Sequence, residues 1–107
     1  MLREAYNSVM NESERILTIL RDELPTLRQR FFVDRVALYG SCARDTARPD
    51  SDADVLVSFS QPVDYFVLVH LEDYLTERLG RPADVVTEDG LSPFIRPHIV
   101  GQLRYAA

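Results

Sequence analysis

Val36-Ala37-Leu38-Tyr39-Gly40-Ser41, followed after ten residues by Asp52-Ala53-Asp54-Val55-Leu56-Val57, is the stretch that decides how this 107-residue chain is read. The apolar run Val36–Tyr39 ends at Gly40, which predicts a buried strand closed by a sharp turn. Ala53–Phe59 predicts a second strand, with Asp54 at its mouth. Residues two apart in a strand point to the same side, so Asp52 and Asp54 face one way. Two carboxylates placed so repel each other unless a cation sits between them. Magnesium suits the pair, because it prefers hard oxygen ligands and takes the rest from phosphates and water. The competing reading is a solvated acidic turn. The apolar run directly after Asp54 favours the strand edge, yet the pair alone leaves both readings standing.

Two further features bear on the choice. Gly40-Ser41 follows the first strand. Glycine lets a backbone come close to a ligand, and a serine hydroxyl with free amides can hold phosphate oxygens. By itself, Gly-Ser after a strand is more often a plain turn. Asp84 lies among Ala83, Val85 and Val86, a third apolar run. Burying an unpaired carboxylate is costly, so Asp84 needs a partner. One candidate is an ion pair with an arginine, Arg81 being nearest in sequence. The other is a third metal ligand, or a base for an attacking hydroxyl. Carboxylates shared by two metal ions can clamp the attacking and leaving oxygens of an in-line displacement.

Outward from this stretch, Ile16, Leu20, Leu24, Leu27 and Phe31 draw one apolar stripe at helical spacing. Asn11 and Glu14 resemble a capping box at its start. Pro25 is expected to kink this helix or divide it in two. Residues 1–10 read as a lead-in or an extra helical turn. A second helix runs from about Asp64 to Leu79, with Phe66, Val67, Leu71, Tyr74, Leu75 and Leu79 as its apolar face and Gly80 to end it. Ser92-Pro93 reads as an N-cap followed by proline at the first helical position, which starts a short helix there. Leu103-Arg104-Tyr105 fits a last short strand. Helices alternate with strands, which predicts one α/β (α+β) domain over residues 1–107: a small mixed sheet of three to four strands with helices packed on it.

Composition narrows the function classes. Twelve basic residues against seventeen acidic ones give a net charge of −5. Without a basic stripe, such a surface disfavours nucleic acid as main partner. No apolar run approaches the length of a membrane helix, and the start lacks the order of a signal peptide. The lone Cys42 allows no internal disulfide, which fits a cytoplasmic setting. Cys42 itself reads as a small packing residue, although a helix start can lower a thiol pKa. His70 and His98 have no ligand partner at useful spacing and read as structural.

At Gly40-Ser41-x10-Asp52-x-Asp54 the sequence resembles the DNA polymerase β-like nucleotidyltransferase superfamily. The longer run GSCARDTARPDSDADVLV resembles its minimal nucleotidyltransferase branch, commonly antitoxins paired with a helical HEPN-domain toxin. The resemblance extends from the helix before Val36 to the GLSPFIRPHI segment after Asp84. It implies the polymerase β-like fold, ATP as substrate and Mg2+, two ions, as cofactor. It implies triphosphate contacts from Gly40 and Ser41, metal binding by Asp52 and Asp54, and Asp84 as the third carboxylate. Arg44 also matches the motif, though a structural ion pair suits it equally; Arg48 is a weaker phosphate candidate. The implied reaction is AMPylation of a tyrosine on a HEPN toxin, with the two proteins forming a hetero-oligomer. A binding-only antitoxin and a small-molecule adenylyltransferase are the alternatives. Larger superfamily members carry a further acceptor-binding domain, and the short stretch after Tyr105 leaves no room for one, which favours a protein acceptor. One position departs from the pattern: Asp45 stands where the family commonly has glycine. If φ is positive there, aspartate is among the tolerated replacements, but its charge is expected near the phosphates.

Overall fold

The computed structural model describes residues 11–94 and 96–106. The lead-in at residues 1–10 therefore lies outside the described residues. Helix α1 (Glu12–Phe31) is followed by strand β1 (Val33–Tyr39), a one-turn helix α2 (Gly40–Ala43) and strand β2 (Ala53–Phe59). Helix α3 (Tyr65–Leu79), strand β3 (Ala83–Thr87), a 3-10 turn (Glu88–Gly90), helix α4 (Arg96–Val100) and strand β4 (Arg104–Tyr105) complete the order.

α1 starts where its cap residues require. The Asn11 side chain accepts the Glu14 N–H at 2.9 Å, which satisfies one of the orphan donors of the first turn. Glu14 reaches back to the Asn11 side-chain amide, not to its backbone, so the capping box is half formed. Pro25 does not divide the helix. It removes one donor and leaves the Arg21 carbonyl without its usual partner, but both residues are exposed, where that loss is least costly. The helix ends at Phe32 in the left-handed region, φ 59°. Asp64 caps α3 through the Val67 N–H at 3.0 Å, and Gly80 at φ 74° ends it.

The sheet order is β3-β2-β1-β4. β1 runs antiparallel to β2 and β4, while β2 and β3 are parallel. The sheet is thus mixed and four-stranded, with helices packed on it. α1 lies on β1 and α3 on β3, and the two helices meet each other. Ile16, Leu20 and Leu27 from α1 and Leu71, Leu75 and Leu79 from α3 are fully buried against Val36, Leu38, Val55 and Val57. Each such side chain contributes roughly 1.5–3 kcal/mol on burial. On the other sheet face the register partners Ala37 and Leu56 are buried too.

Three expectations need correction. Phe66 is not part of the buried face of α3; it is 71% exposed, and Leu68 packs against the core instead. The last helix begins at Arg96, not at Pro93. The Ser92 hydroxyl accepts the Phe94 N–H at 3.2 Å and its carbonyl accepts Arg96 N–H at 2.9 Å, so Ser92 closes a turn ahead of the helix. Pro97 then sits in the first turn, where its missing N–H costs nothing. The third difference is β1, which starts at Val33, three residues early, through a register irregularity between Val33 and Arg35.

Truncating the core tests this packing. Leu20→Ala removes a side chain with no exposed surface. It is expected to lower the unfolding free energy by about 3 kcal/mol in urea denaturation, the usual scale for a buried leucine.

Candidate active site

Register, not proximity in sequence, assembles the site. Tyr39 on β1 is the partner of Asp54 on β2, and Asp54 is the partner of Asp84 on β3. Directly opposed residues share a face, and neighbouring strands lie about 4.8 Å apart. Tyr39, Asp54 and Asp84 therefore form a row across three strands, on the face turned away from α1 and α3. Asp52 stands two residues before Asp54, just ahead of β2, and is exposed. Asp84 is exposed as well, and Asp54 is half-buried.

Gly40 turns the chain beside this row. Its φ is 72°, a conformation that favours glycine. A Cβ placed there would stand 2.3 Å from Asp54 Oδ2. Glycine is thus required twice, by the backbone angle and by the carboxylate packed against it. Ser41 follows at the start of α2, with its carbonyl accepting the Thr46 N–H at 2.9 Å. Its hydroxyl has no partner among the described residues and remains available to a ligand.

The electrostatics of the row are unfavourable without a counter-charge. The Asp54 carboxyl is pushed up first by burial, then by Asp84 and Asp52, with Arg44 alone pulling it down. The Tyr39 phenol is pushed up to about 12, first by burial and then by Asp54 and Asp84. Among the described residues, no three His, Cys, Asp or Glu side chains gather tightly enough to cage a metal unaided. The donor set still fits magnesium, which is held by one or two carboxylates with phosphates and water completing its shell. A cation there would relieve the repulsion that adds to burial in raising Asp54.

The remaining sequence candidates are dispersed around this row. Arg44 donates to Gln102 Oε1 at 2.8 Å and reaches Asp54 electrostatically, not by a salt bridge. Arg48 is exposed; its N–H donates to Ser51 Oγ at 2.9 Å and its carbonyl accepts Arg81 at 3.2 Å. The ion pair between Arg81 and Asp84 does not form. Arg81 pairs with Glu12 and also donates to the Ser51 carbonyl at 3.0 Å, which leaves Asp84 free to face the row. Cys42 is buried and its thiol is pushed up by burial, so the helix start does not activate it. It packs under the turn, 3.5 Å from the Asp52 carbonyl.

Asp45 differs most from expectation. Its φ is indeed positive, 59°. Its carboxylate, however, binds Ser13 through the backbone N–H and the hydroxyl, each at 3.0 Å. Its charge is engaged by the N-terminus of α1. Sequence reading missed Tyr39, Ser13, Glu12 and Arg104 as neighbours of the motif. Only the strand register and the long-range bonds reveal them. A groove of about 650 Å³, lined by residues such as Phe59, Tyr65 and Glu88, lies at the C-terminal ends of β2 and β3. That is the end of the sheet away from the carboxylates, and none of the sequence candidates lines it.

Similarity to known proteins agrees with this geometry. A family model described as "nucleotidyltransferase domain" matches residues 14–106. Protein adenylyltransferase MntA of Thermococcus cleftensis is 34% identical over 96 residues, 90% of this chain and 94% of the relative. A Methanocaldococcus jannaschii protein provisionally named a protein adenylyltransferase is 31% identical over 97 residues, covering 90% and 99%. A solved structure provisionally assigned as a minimal nucleotidyltransferase superposes with TM-score 0.72 at 33% identity, covering 91% of this chain and 97% of the other. One chain from the structure of a tri-AMPylated Shewanella oneidensis HEPN toxin in complex with MNT antitoxin also shares the fold, with TM-score 0.58 and 21% identity, covering 90% of this chain and 69% of that one.

Two substitutions probe the row. Gly40→Ala is expected to destabilise the protein by at least the 1–2 kcal/mol cost of left-handed backbone, roughly, and to displace Asp54, measured by urea unfolding. Asp54→Asn is expected to raise the melting temperature of the metal-free protein by a few degrees near neutral pH. The folded chain holds the Asp54 proton more tightly than the unfolded chain does. This group therefore adds stability as pH falls through its raised pKa, and melts recorded between about pH 7 and pH 4 should show that gain shrinking in the Asn variant.

Proposed function

The chain belongs to the nucleotidyltransferase domain family, and from that premise we propose that it is a magnesium-dependent protein adenylyltransferase acting as an antitoxin on a HEPN-domain partner. The observation that carries the reading is the row of Asp54 and Asp84, with Asp52 beside it, facing open solvent next to the Gly40-Ser41 turn. The curated relatives above 30% identity that are named as protein adenylyltransferases support the reaction class. The fold shared with one chain of the tri-AMPylated HEPN toxin and MNT antitoxin complex suggests the partner.

In this reading ATP lies with its triphosphate along the turn. Gly40, lacking a side chain, lets the phosphates come close, and the Ser41 hydroxyl donates to a phosphate oxygen. Arg44 adds positive charge on the same side. Asp52 and Asp54 would supply the hard oxygens that hold magnesium, and Asp84 would be the third donor. Magnesium bound there would neutralise charge on the triphosphate and on the departing pyrophosphate. The second carboxylate oxygen of Asp84 accepts the proton of the acceptor hydroxyl. The acceptor oxygen, from a tyrosine of the partner, bonds to the α-phosphorus; the bond to the bridging oxygen breaks and pyrophosphate leaves. Positioning and charge neutralisation supply most of the rate in such a transfer.

Intact-mass spectrometry tests this. The purified chain is incubated with its HEPN-domain partner, ATP and magnesium. The expected result is a partner heavier by whole AMP units, and no such increment with the Asp52→Asn, Asp54→Asn double variant. An unmodified partner that is nevertheless neutralised by both forms would replace the enzyme with a binding-only antitoxin.

A further inference from the structure

We infer that Asp45 is a positioning residue, whose carboxylate latches the nucleotide turn to the first turn of α1. The inference rests on the reading of Gly40 and Ser41 as the triphosphate turn. Asp45 Oδ1 accepts the Ser13 backbone N–H at 3.0 Å, and Oδ2, also at 3.0 Å, shares the single Ser13 hydroxyl proton with Asn11 Oδ1 at 3.1 Å. Ser13 has no exposed surface. Its hydroxyl oxygen also accepts Arg104 at 2.7 Å, and the same Arg104 nitrogen donates to the Ala43 carbonyl at 3.3 Å. Three segments remote in sequence thus meet at one point: the start of α1, the turn after β1, and β4.

The physical reason for the latch lies in α1. The first N–H groups of a helix have no partner within it. Asn11 takes that of Glu14, and Asp45 takes that of Ser13. A carboxylate is favoured at this end of a helix, so the charge of Asp45 is stabilised away from the phosphates. The connection to Ser41 is short. The Thr46 N–H, next to Asp45, holds the Ser41 carbonyl at 2.9 Å, and the Asp45 N–H reaches the Cys42 carbonyl at 3.4 Å. Glycine at position 45 would permit the same backbone angle but supply no carboxylate. The opposite end of the loop is held separately: Arg81 grips the Arg48 and Ser51 carbonyls while pairing with Glu12, one residue before Ser13.

Two readings of Asp45 differ in sign. A latch predicts weaker nucleotide use when the carboxylate is lost. A residue that merely repels the triphosphate predicts tighter use. The test compares Asp45→Gly and Asp45→Asn with the wild-type chain, through kcat and KM for ATP with magnesium and through amide hydrogen exchange of residues 41–48. Asp45→Gly should speed exchange in this loop and raise KM about tenfold, the worth of losing one charge-assisted hydrogen bond, with kcat within about twofold. Asp45→Asn keeps an acceptor oxygen for the Ser13 N–H and should recover most of the wild-type KM. Unchanged loop exchange in Asp45→Gly overturns the latch, as does a KM that stays level or falls, even with a lowered melting temperature. A wild-type chain that transfers no nucleotide would overturn the proposed function instead, and loop exchange alone would then decide the latch.

Discussion

The position of β2 between β1 and β3 governs everything the site contains. Antiparallel pairing on one side brings Tyr39 to Asp54, and parallel pairing on the other brings Asp84. Side chains alternate along a strand, so a slip of one residue would turn Asp54 toward α1 and α3 and expose Val55. The fully buried Val55 and Val57 make that slip expensive. The hydrophobic effect on one face therefore fixes the chemistry on the other. The carboxylates are held where they repel each other because the valines behind them cannot move.

That repulsion is maintained, not relieved, by the surrounding charge. Of the described arginines near the motif, two are committed elsewhere. Arg81 is occupied by Glu12 and the loop carbonyls, and Arg104 by Ser13 and Ala43. Arg44 alone is felt at Asp54. Raised Asp54, raised Tyr39 and exposed Asp84 together describe a site short of positive charge. A cation with a negatively charged ligand is the kind of occupant such a site favours over either alone.

The first turn of α1 serves as the base for the loop that carries the motif. Glu12 and Ser13 are neighbours in sequence, and they anchor the far and near ends of residues 41–51 respectively. Neither residue has a role visible in its local pattern, where both read as ordinary polar residues of a first helical turn. Their function depends on contacts spanning 32 positions for Ser13 with Asp45 and 69 for Glu12 with Arg81.

Sequence alone determined the features that local physics dictates. Apolar periodicity placed α1, α3 and the strands, because burial rewards one face at a time. Asn11 and Asp64 marked helix starts and Gly80 a helix end, because orphan backbone groups need local partners. The spacing of Gly40, Ser41, Asp52 and Asp54 marks the candidate site without reference to strand pairing. Phe66 misled, because periodicity shows an apolar stripe but not its width, and Ser92 misled, because a capping residue can close a turn as well as a helix. Tertiary structure alone decided the partners: Asp84 with Asp54 across β2 and β3, Tyr39 opposite Asp54, Arg81 on Glu12 in place of Asp84, and Asp45 on Ser13. These follow from strand register and from which charges burial brings together. Both are set by the energy of the whole packed sheet, and no short window of sequence contains that sum.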